Sequence, residues 1–134
     1  LLTTDIIVGF PGETDEEFEK TYEYLEKIKF YKMHVFKYSK KSGTVAAKMP
    51  NQITDEIKEI RSKRLIELSD ENEKKYLKSY IGKDVEVLFE EREGNFYKGH
   101  TTNYMLVKKE SNKELNNQII TVTPKELKGL ELIC

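Results

Sequence analysis

The sequence predicts an α+β protein in two parts, a βαβ unit followed by a long charged helix, and then a small all-β barrel. Residues 1–8 form a continuous apolar and β-branched run that ends at Gly9, as in a strand of a parallel sheet that is buried on both faces. Residues 54–78 carry a helical pattern over about six or seven turns. Residues 84–133 contain five short strand candidates and no helical pattern, which is typical of a small closed barrel.

The first part of the sequence predicts one βαβ unit. Thr14 is a good helix N-cap, and Glu17 three residues later completes a capping box. The apolar spacing that follows predicts an amphipathic helix over residues 14–29. Residues 33–38 form a second apolar strand, and a strand, a helix and a strand over this length predict a parallel pair with a right-handed crossover. Residues 39–51 show no period and are predicted to form a loop.

The long helix and the barrel meet near Ser79. Thr54 caps the helix, with acidic residues in its first turn and lysines in its last turn, as the helix dipole favours. After Gly82 polar and apolar residues alternate, which is the period of a half-buried antiparallel strand. The five strand candidates are residues 84–89, 96–101, 104–109, 118–123 and 128–133.

The bulk composition excludes several classes of protein. The net charge is −1, with 23 basic and 24 acidic residues, so any nucleic-acid binding must rest on the local arrangement of charges. Cys134 is the one cysteine, so the chain has neither an internal disulfide nor a cysteine cluster for zinc or iron–sulfur binding. No apolar run is long enough to span a membrane. These features predict a cytoplasmic protein without a membrane partner.

The turn after the first strand is the first candidate site. Residues 4–14 read TDIIVGFPGET, a strand that passes through Gly9 and Gly12 into a helix N-terminus. Glycines let the backbone approach a ligand, and α/β folds bind ligands at the carboxyl ends of their strands. The alternative is a tight βα turn without a ligand. A nucleotide-binding α/β fragment is the weaker hypothesis, because no phosphate-binding lysine or Gly-x-Gly-x-x-Gly accompanies the loop.

The string TDIIVGFPGET resembles the fifth barrel strand and the following turn of radical-SAM methylthiotransferases. The resemblance implies that an apolar residue of this strand packs on the adenine of S-adenosylmethionine, with Ile7, Val8 and Gly9 at the matching positions. The chain departs from the superfamily's looser glycine–isoleucine–glycine–glutamate pattern at two places. Asp5 stands where the first glycine would be, and Glu13 is displaced by one residue.

The second motif is the segment of residues 38–47, which reads YSKKSGTVAA. It resembles the Tyr-Ser-x-Arg-x-Gly-Thr-x-Ala-Ala segment of the same family, on the active-site side of a barrel. Lys40 and Lys41 are therefore candidates to contact RNA phosphates. The alternative is a structural loop that closes the barrel.

The third motif lies in the all-β part, where residues 97–104 read YKGHTTNY. It resembles the Gly-x-Thr-x-Asn-Tyr segment of TRAM domains, which are small OB-like β-barrels that bind tRNA. An aromatic ring stacks on an unpaired base, a basic side chain contacts phosphate, and Asn or Thr contacts polar base edges. The alternative is a hairpin whose Tyr packs inward and whose Asn makes the turn. The RNA-binding candidates are Arg92, Lys98, His100, Asn103 and Tyr104.

The order of these motifs resembles the C-terminal part of a radical-SAM tRNA methylthiotransferase, in the branch that acts on threonylcarbamoyladenosine beside the anticodon. The resemblance implies three parts: residues 1–50 from a partial radical-SAM α/β barrel, residues 51–78 as a connecting helix, and residues 79–134 as a five-stranded antiparallel OB-like TRAM barrel. It also implies tRNA as partner.

S-adenosylmethionine and two 4Fe–4S clusters are implied for the parent enzyme. None of these cofactors is expected on this fragment, because the cluster cysteines of the family lie upstream. The chain is expected to begin inside a domain and to have no catalytic or metal-binding residues of its own. The alternative hypothesis is a non-catalytic RNA-binding module.

A partial barrel leaves strand edges and apolar faces uncovered, and such surfaces favour pairing with another copy. We therefore expect residues 1–38 either to rearrange or to self-associate through the exposed barrel edge, while residues 83–133 fold as a native barrel. His34 lies in an apolar strand and is predicted to be a core histidine.

Overall fold

The computed structural model describes residues 2–134, and over these residues the chain has a mixed α+β architecture with two α-helices. It divides into two compact units, Leu1–Asn72 and Glu73–Cys134. The elements in chain order are β1 (Thr3–Val8), α1 (Asp15–Ile28), β2 (Lys32–Lys37), a 3₁₀ turn (Ala46–Lys48), α2 (Asp55–Lys78), β3 (Val85–Glu93), β4 (Phe96–Thr101), β5 (Leu106–Glu110), β6 (Gln118–Val122), β7 (Glu126–Lys128) and β8 (Glu131–Ile133).

The first unit contains the predicted strand–helix–strand arrangement. The Thr14 hydroxyl accepts a hydrogen bond from the Glu17 backbone N–H at 3.1 Å, which caps α1 as predicted. Lys29 ends the helix in a left-handed conformation, with its N–H bonded to the Leu25 carbonyl at 3.1 Å. β1 and β2 pair in parallel along their whole length. The expected rearrangement of this segment is therefore not seen, whereas its self-association stays a prediction.

The prediction that the first strand is buried on both faces is wrong. Val8 is 1% exposed, in one core cluster with Phe18 of α1 and Leu65 of α2, whereas the opposite face of the sheet leaves Ile7 59% and Phe36 54% exposed. In the described part of this unit the helices pack on one face of a two-stranded sheet, so only alternate residues of each strand are buried. Residue 1 of the predicted strand lies outside the described residues.

His34 is exposed and is not a core histidine, in contrast to the prediction. It lies directly opposite Asp5 in the strand register, on the same uncovered face. The neighbouring residue Met33 is 4% exposed, because successive side chains of a strand point to opposite faces.

The second unit contains one sheet of six strands, in the order β6-β3-β4-β5-β8-β7. All its pairs are antiparallel except β5 with β8, which is parallel. Five antiparallel strands were predicted. The difference arises in residues 128–133, where Gly129 has a φ of +60° and turns the chain between β7 and β8. The closed OB-like barrel and the radical-SAM barrel stay predictions.

The inward face of the six-stranded sheet forms the core of the second unit. Val85, Val87 and Phe89 alternate along β3 as buried residues, as their spacing predicts. Tyr97 of β4 is 1% exposed, and Leu77 near the end of α2 packs in the same cluster. The remaining buried members are Met105, Val107, Leu115, Val122 and Leu132.

The neighbouring strands β3 and β4 approach each other closely at Gly99. A Cβ on Gly99 would lie 2.1 Å from the carbonyl oxygen of Leu88 and 2.8 Å from the Cα of Phe89. The register between β3 and β4 shifts between Phe89 and Glu91, which places Glu90 in a β-bulge. Only glycine fits here, because the atoms that a side chain would meet belong to the backbone and cannot rotate away.

We expect Gly99→Ala to lower the free energy of unfolding by roughly 3 kcal/mol, because the strands must separate to admit the methyl group. Gly94→Ala is the matched control. Gly94 has a φ of +60° and open space around its Cβ position, so it should lose only about 1 kcal/mol through backbone strain. Urea unfolding of both variants measures the difference. An equal loss in the two variants would show that the close approach has no special cost.

Candidate nucleic-acid interface

The third motif forms the hairpin between β4 and β5. The Tyr104 N–H bonds the Thr101 carbonyl at 3.0 Å, the Thr101 N–H bonds the Met105 carbonyl at 3.0 Å, and the Met105 N–H bonds the Thr101 hydroxyl at 3.1 Å. This is a three-residue loop over residues 102–104, whose last residue ordinarily has a positive φ. That residue is Tyr104, with a φ of +64°.

Asn103 holds this turn against the end of α2. Its side-chain amide donates to the hydroxyl of Tyr76 at 3.0 Å and to that of Tyr80 at 3.5 Å, and its carbonyl oxygen accepts from the Thr101 hydroxyl. Burial and the hydrogen bond with Tyr80 raise the pKa of Tyr76, so its phenol stays protonated at neutral pH. The polar atoms of Asn103 are thus engaged within the unit, which supports the interpretation that this Asn makes the turn.

Tyr104 points to solvent and does not pack inward. It is 80% exposed, so the alternative that its ring belongs to the core is wrong. A bulky residue with positive φ is uncommon and carries backbone strain that glycine would avoid. An exposed aromatic ring on a strained turn does not contribute to the core, and it is therefore a candidate for ligand contact.

The sheet carries a row of residues on its outward face beside this turn. Ile119 of β6 lies opposite Leu88 of β3, Leu88 lies opposite His100 of β4, and His100 lies opposite Leu106 of β5. Ile119 is 70% exposed and Leu88 is 37% exposed. Two apolar side chains thus stand on the outward face, next to an exposed His100.

We call the concavity over this row the outer groove. It has a volume of about 480 Å³. Its lining combines apolar, aromatic and acidic residues and contains neither lysine nor arginine. The lining residues are Glu86, Leu88, Glu90, His100, Thr101, Thr102, Tyr104 and Ile119. Of the sequence-predicted RNA-binding residues, the structure therefore brings His100 and Tyr104 together.

The two predicted basic contacts of this unit differ in their surroundings. The Lys98 ammonium lies 3.3 Å from the carboxylate of Glu93 and 3.8 Å from that of Glu131, and its hydrogen bond to Glu93 raises the pKa of Lys98. Its charge is largely compensated within the unit. Arg92 is exposed, with its Nε donating to the Gly94 carbonyl at 2.9 Å and its guanidinium 5.6 Å from the Tyr97 ring centre. Of these two residues, Arg92 is therefore the better candidate for a phosphate contact.

Sequence reasoning did not single out six residues of the outer groove, namely Glu86, Leu88, Glu90, Thr101, Thr102 and Ile119. A signal for Leu88 was present. It occupies an outward position of an alternating strand, between Glu86 and Glu90, where a polar residue is the usual choice. No local signal marked Ile119, because its place beside Leu88 depends on the pairing of β6 with β3.

The second motif lies in the first unit. Lys40 and Lys41 are exposed. The Thr44 hydroxyl donates to the Lys41 carbonyl at 2.7 Å and accepts from the Ala47 N–H at 3.2 Å, which starts the 3₁₀ turn. Gln52 then bonds the carbonyls of Ala46 and Met49. The loop is therefore ordered by its own side chains, with both lysines directed to solvent.

The packing of the turn after β1 explains why residue 9 is a glycine, without any role for a ligand. Gly9 has a φ of +77°, and a Cβ there would lie 2.4 Å from Cγ of Lys58, whose Nζ donates to the Tyr38 carbonyl at 2.9 Å. The Gly9 N–H bonds the Glu13 carboxylate at 3.0 Å, and Arg61 bonds that same oxygen at 2.7 Å. Glycine is required here because the buried stem of Lys58 occupies the space.

The three predicted cofactor contacts therefore lie in different surroundings. Val8 is in the core, and the N–H of Gly9 is already bonded. Ile7 is apolar and exposed near the carboxyl end of β1, so it alone fits a contact with a planar ring. Over residues 2–134, no group of three or more His, Cys, Asp or Glu is arranged to hold a metal ion. No helix of this part of the chain is long and apolar enough to cross a membrane.

Comparison with known proteins gives close relatives, although no protein-family model matches the chain. It is 42% identical over 126 residues to the threonylcarbamoyladenosine tRNA methylthiotransferase MtaB of Bacillus subtilis. It is 43% and 46% identical, over 131 and 118 residues, to the tRNA-2-methylthio-N(6)-dimethylallyladenosine synthases of Lachnoclostridium phytofermentans and Campylobacter jejuni.

These alignments cover 90%, 96% and 87% of this chain, but 28%, 29% and 27% of the three relatives. The chain thus spans less than a third of the length of the curated relatives that it matches. Similarity of this degree along almost the whole chain makes it a segment that belongs to the tRNA methylthiotransferase family.

Proposed function

We propose that this chain is the C-terminal part of a tRNA-modifying methylthiotransferase that adds a methylthio group to threonylcarbamoyladenosine beside the anticodon. The observation that carries the proposal is the 42% identity over 90% of the chain to a relative named for that substrate. The sequences of the YSKKSGTVAA loop and of the YKGHTTNY segment favour the same branch of the family, the one that acts on threonylcarbamoyladenosine. Relatives named for dimethylallyladenosine are of similar identity, so that substrate is the second candidate.

The chemistry belongs to the parent enzyme. S-adenosylmethionine and two 4Fe–4S clusters, which the family resemblance implies, would supply the radical, the methyl group and the sulfur. In this chain, the residue proposed to contact the adenine of S-adenosylmethionine is Ile7, whose side chain is 59% exposed near the carboxyl end of β1. Val8 and Gly9 support that contact from the core and from the turn. The chain by itself is proposed to be non-catalytic.

The second unit is proposed to be a TRAM domain that binds tRNA in the cytoplasm. Tyr104 and His100 are presented at the outer groove, and Arg92 lies exposed on the hairpin of β3 and β4. An unpaired RNA base can stack on the Tyr104 ring, while the Arg92 guanidinium contacts a phosphate. Lys98 and Asn103 are proposed to act mainly through their contacts within the second unit. Lys40 and Lys41 of the first unit are proposed to contact RNA phosphates.

The proposed activity is tested in the organism that carries the gene, by deleting the segment for these 134 residues and analysing tRNA nucleosides by mass spectrometry. We expect the methylthiolated form of threonylcarbamoyladenosine to disappear and its unmodified precursor to accumulate. Loss of methylthiolated dimethylallyladenosine instead would establish the second substrate. A strain with no change in either nucleoside would contradict the enzyme assignment and favour the non-catalytic RNA-binding module.

The proposed interface is tested by binding of the 134-residue chain to a tRNA anticodon stem-loop at several salt concentrations. Tyr104→Ala should weaken binding roughly tenfold at every salt concentration, because stacking is worth about 1–3 kcal/mol per base. Arg92→Ala should lower the slope of log K against log salt by about 1, because one phosphate contact is lost. Lys128→Ala is the control, since Lys128 already pairs with Glu126 at 3.6 Å.

Equal losses in all three variants would contradict the assigned roles. So would a Tyr104→Ala loss that vanishes at high salt, because stacking on a ring does not release counterions. Lys98→Ala should weaken binding less than Arg92→Ala, since two carboxylates already compensate the Lys98 charge.

The strain at Tyr104 gives a further prediction. Tyr104→Gly should unfold with a free energy about 1 kcal/mol above that of Tyr104→Ala, because glycine adopts the positive φ without a Cβ clash. Both variants should lose RNA affinity equally, because both lack the ring. Thermal unfolding and the binding titration measure the two effects. If Tyr104→Gly is less stable than Tyr104→Ala, the turn is not strained at this residue.

A further inference from the structure

The outer groove has an unusual combination of surface chemistry. Its floor is apolar, with Leu88 and Ile119 side by side on neighbouring strands. Its rim carries the exposed ring of Tyr104 and the carboxylates of Glu86 and Glu90. An RNA backbone needs cations, and the lining of the groove has no lysine or arginine to provide them.

Glu86 and Glu90 both project outward from β3, on either side of Leu88. Neither forms an ion pair within the part of the chain that the structure describes. Two unpaired carboxylates repel phosphate and accept hydrogen bonds from N–H groups. The groove is therefore matched to a flat apolar ligand that has N–H donors at its edge and no charge of its own.

We propose that the outer groove is a pocket for a single unpaired RNA base that bears an exocyclic amino group, namely adenine, cytosine or guanine. The base stacks on Tyr104 and lies over Leu88 and Ile119, and its amino group donates to Glu86 or Glu90. This inference rests on the proposed RNA-binding function and adds a preference among bases. Uracil has no amino group, and its one edge donor, the N3–H, lies between two carbonyl oxygens that repel a carboxylate, so uracil makes the stack with a weaker hydrogen bond.

The backbone of the sheet fixes the geometry of this pocket before any RNA arrives. The close approach at Gly99 sets Leu88 opposite His100, and the bulge at Glu90 turns the end of β3. The hydrogen bond that Asn103 donates to the Tyr76 hydroxyl holds the turn that carries Tyr104. A preformed pocket loses little conformational entropy on binding, so even a single base contributes measurable affinity.

The test uses the 134-residue chain and short oligouridine strands whose central residue is uridine, adenosine, cytidine, guanosine or an abasic ribose. Fluorescence anisotropy at low salt gives the five affinities. We expect the three amino-bearing bases to bind roughly tenfold more tightly than uracil, as for a hydrogen bond to a charged acceptor. The abasic strand should bind most weakly.

Glu86→Ala with Glu90→Ala should abolish the preference over uracil while raising the affinity for every strand slightly, because two negative charges are removed. The matched control is Glu110→Ala with Glu126→Ala, which removes the same charge from exposed positions of the same unit outside the groove. This control should keep the preference. Circular dichroism of both double variants verifies that they fold.

Each outcome decides a separate point. Equal affinity for all four bases would overturn the amino-group preference, and equal affinity for the abasic strand would overturn the base pocket. If Ile119→Ala leaves all five affinities unchanged, the groove floor does not contact RNA. If no strand or tRNA binds at low salt, the RNA-binding function itself fails, and the groove is then an apolar surface for another part of the protein.

Discussion

The close approach of two backbones at Gly99 is the constraint on which the second unit depends. The absence of a side chain lets β4 lie against the Leu88 carbonyl, and the pairing of His100 with Leu88 follows from it. A slip of one residue would turn Leu88 inward and Phe89 outward, because strand side chains alternate. The core and the outer groove are therefore two consequences of a single register, one on each face of the sheet.

The hairpin between β4 and β5 likewise combines a structural role with the presentation of a surface residue. Asn103 has the residue type that an RNA contact needs, but its polar atoms bond Thr101, Tyr76 of α2 and Tyr80 just beyond the end of that helix. By doing so they fix the loop in which Tyr104 takes a positive φ. The motif thus combines residues that build the turn with one residue that the turn presents. Its resemblance to TRAM domains does not by itself say which residue has which role.

Much of the fold could be predicted from the sequence, and what could not has physical reasons. Helices α1 and α2 follow from local capping and spacing, and each begins within a residue of its predicted start. The division of residues 126–133 into two strands depends on the φ of Gly129, and glycine occurs in strands as well as in turns. The second carboxylate that compensates the charge of Lys98, that of Glu131, is distant in sequence and close only through the sheet.

The RNA binding proposed for this chain, whose net charge is −1, does not require a broad basic face. Non-specific affinity for a polyanion needs many cations, and it falls steeply with salt. A surface that combines one exposed arginine, Arg92, with an aromatic ring and an apolar groove gains its affinity from bases, which carry no charge and are accessible only where RNA is unpaired. The acidic residues around the groove disfavour double-stranded RNA, whose phosphates face outward. An anticodon loop exposes unpaired bases beside the adenosine that the proposed enzyme modifies, so a base-selective and weakly basic domain suits that substrate better than a strongly basic one.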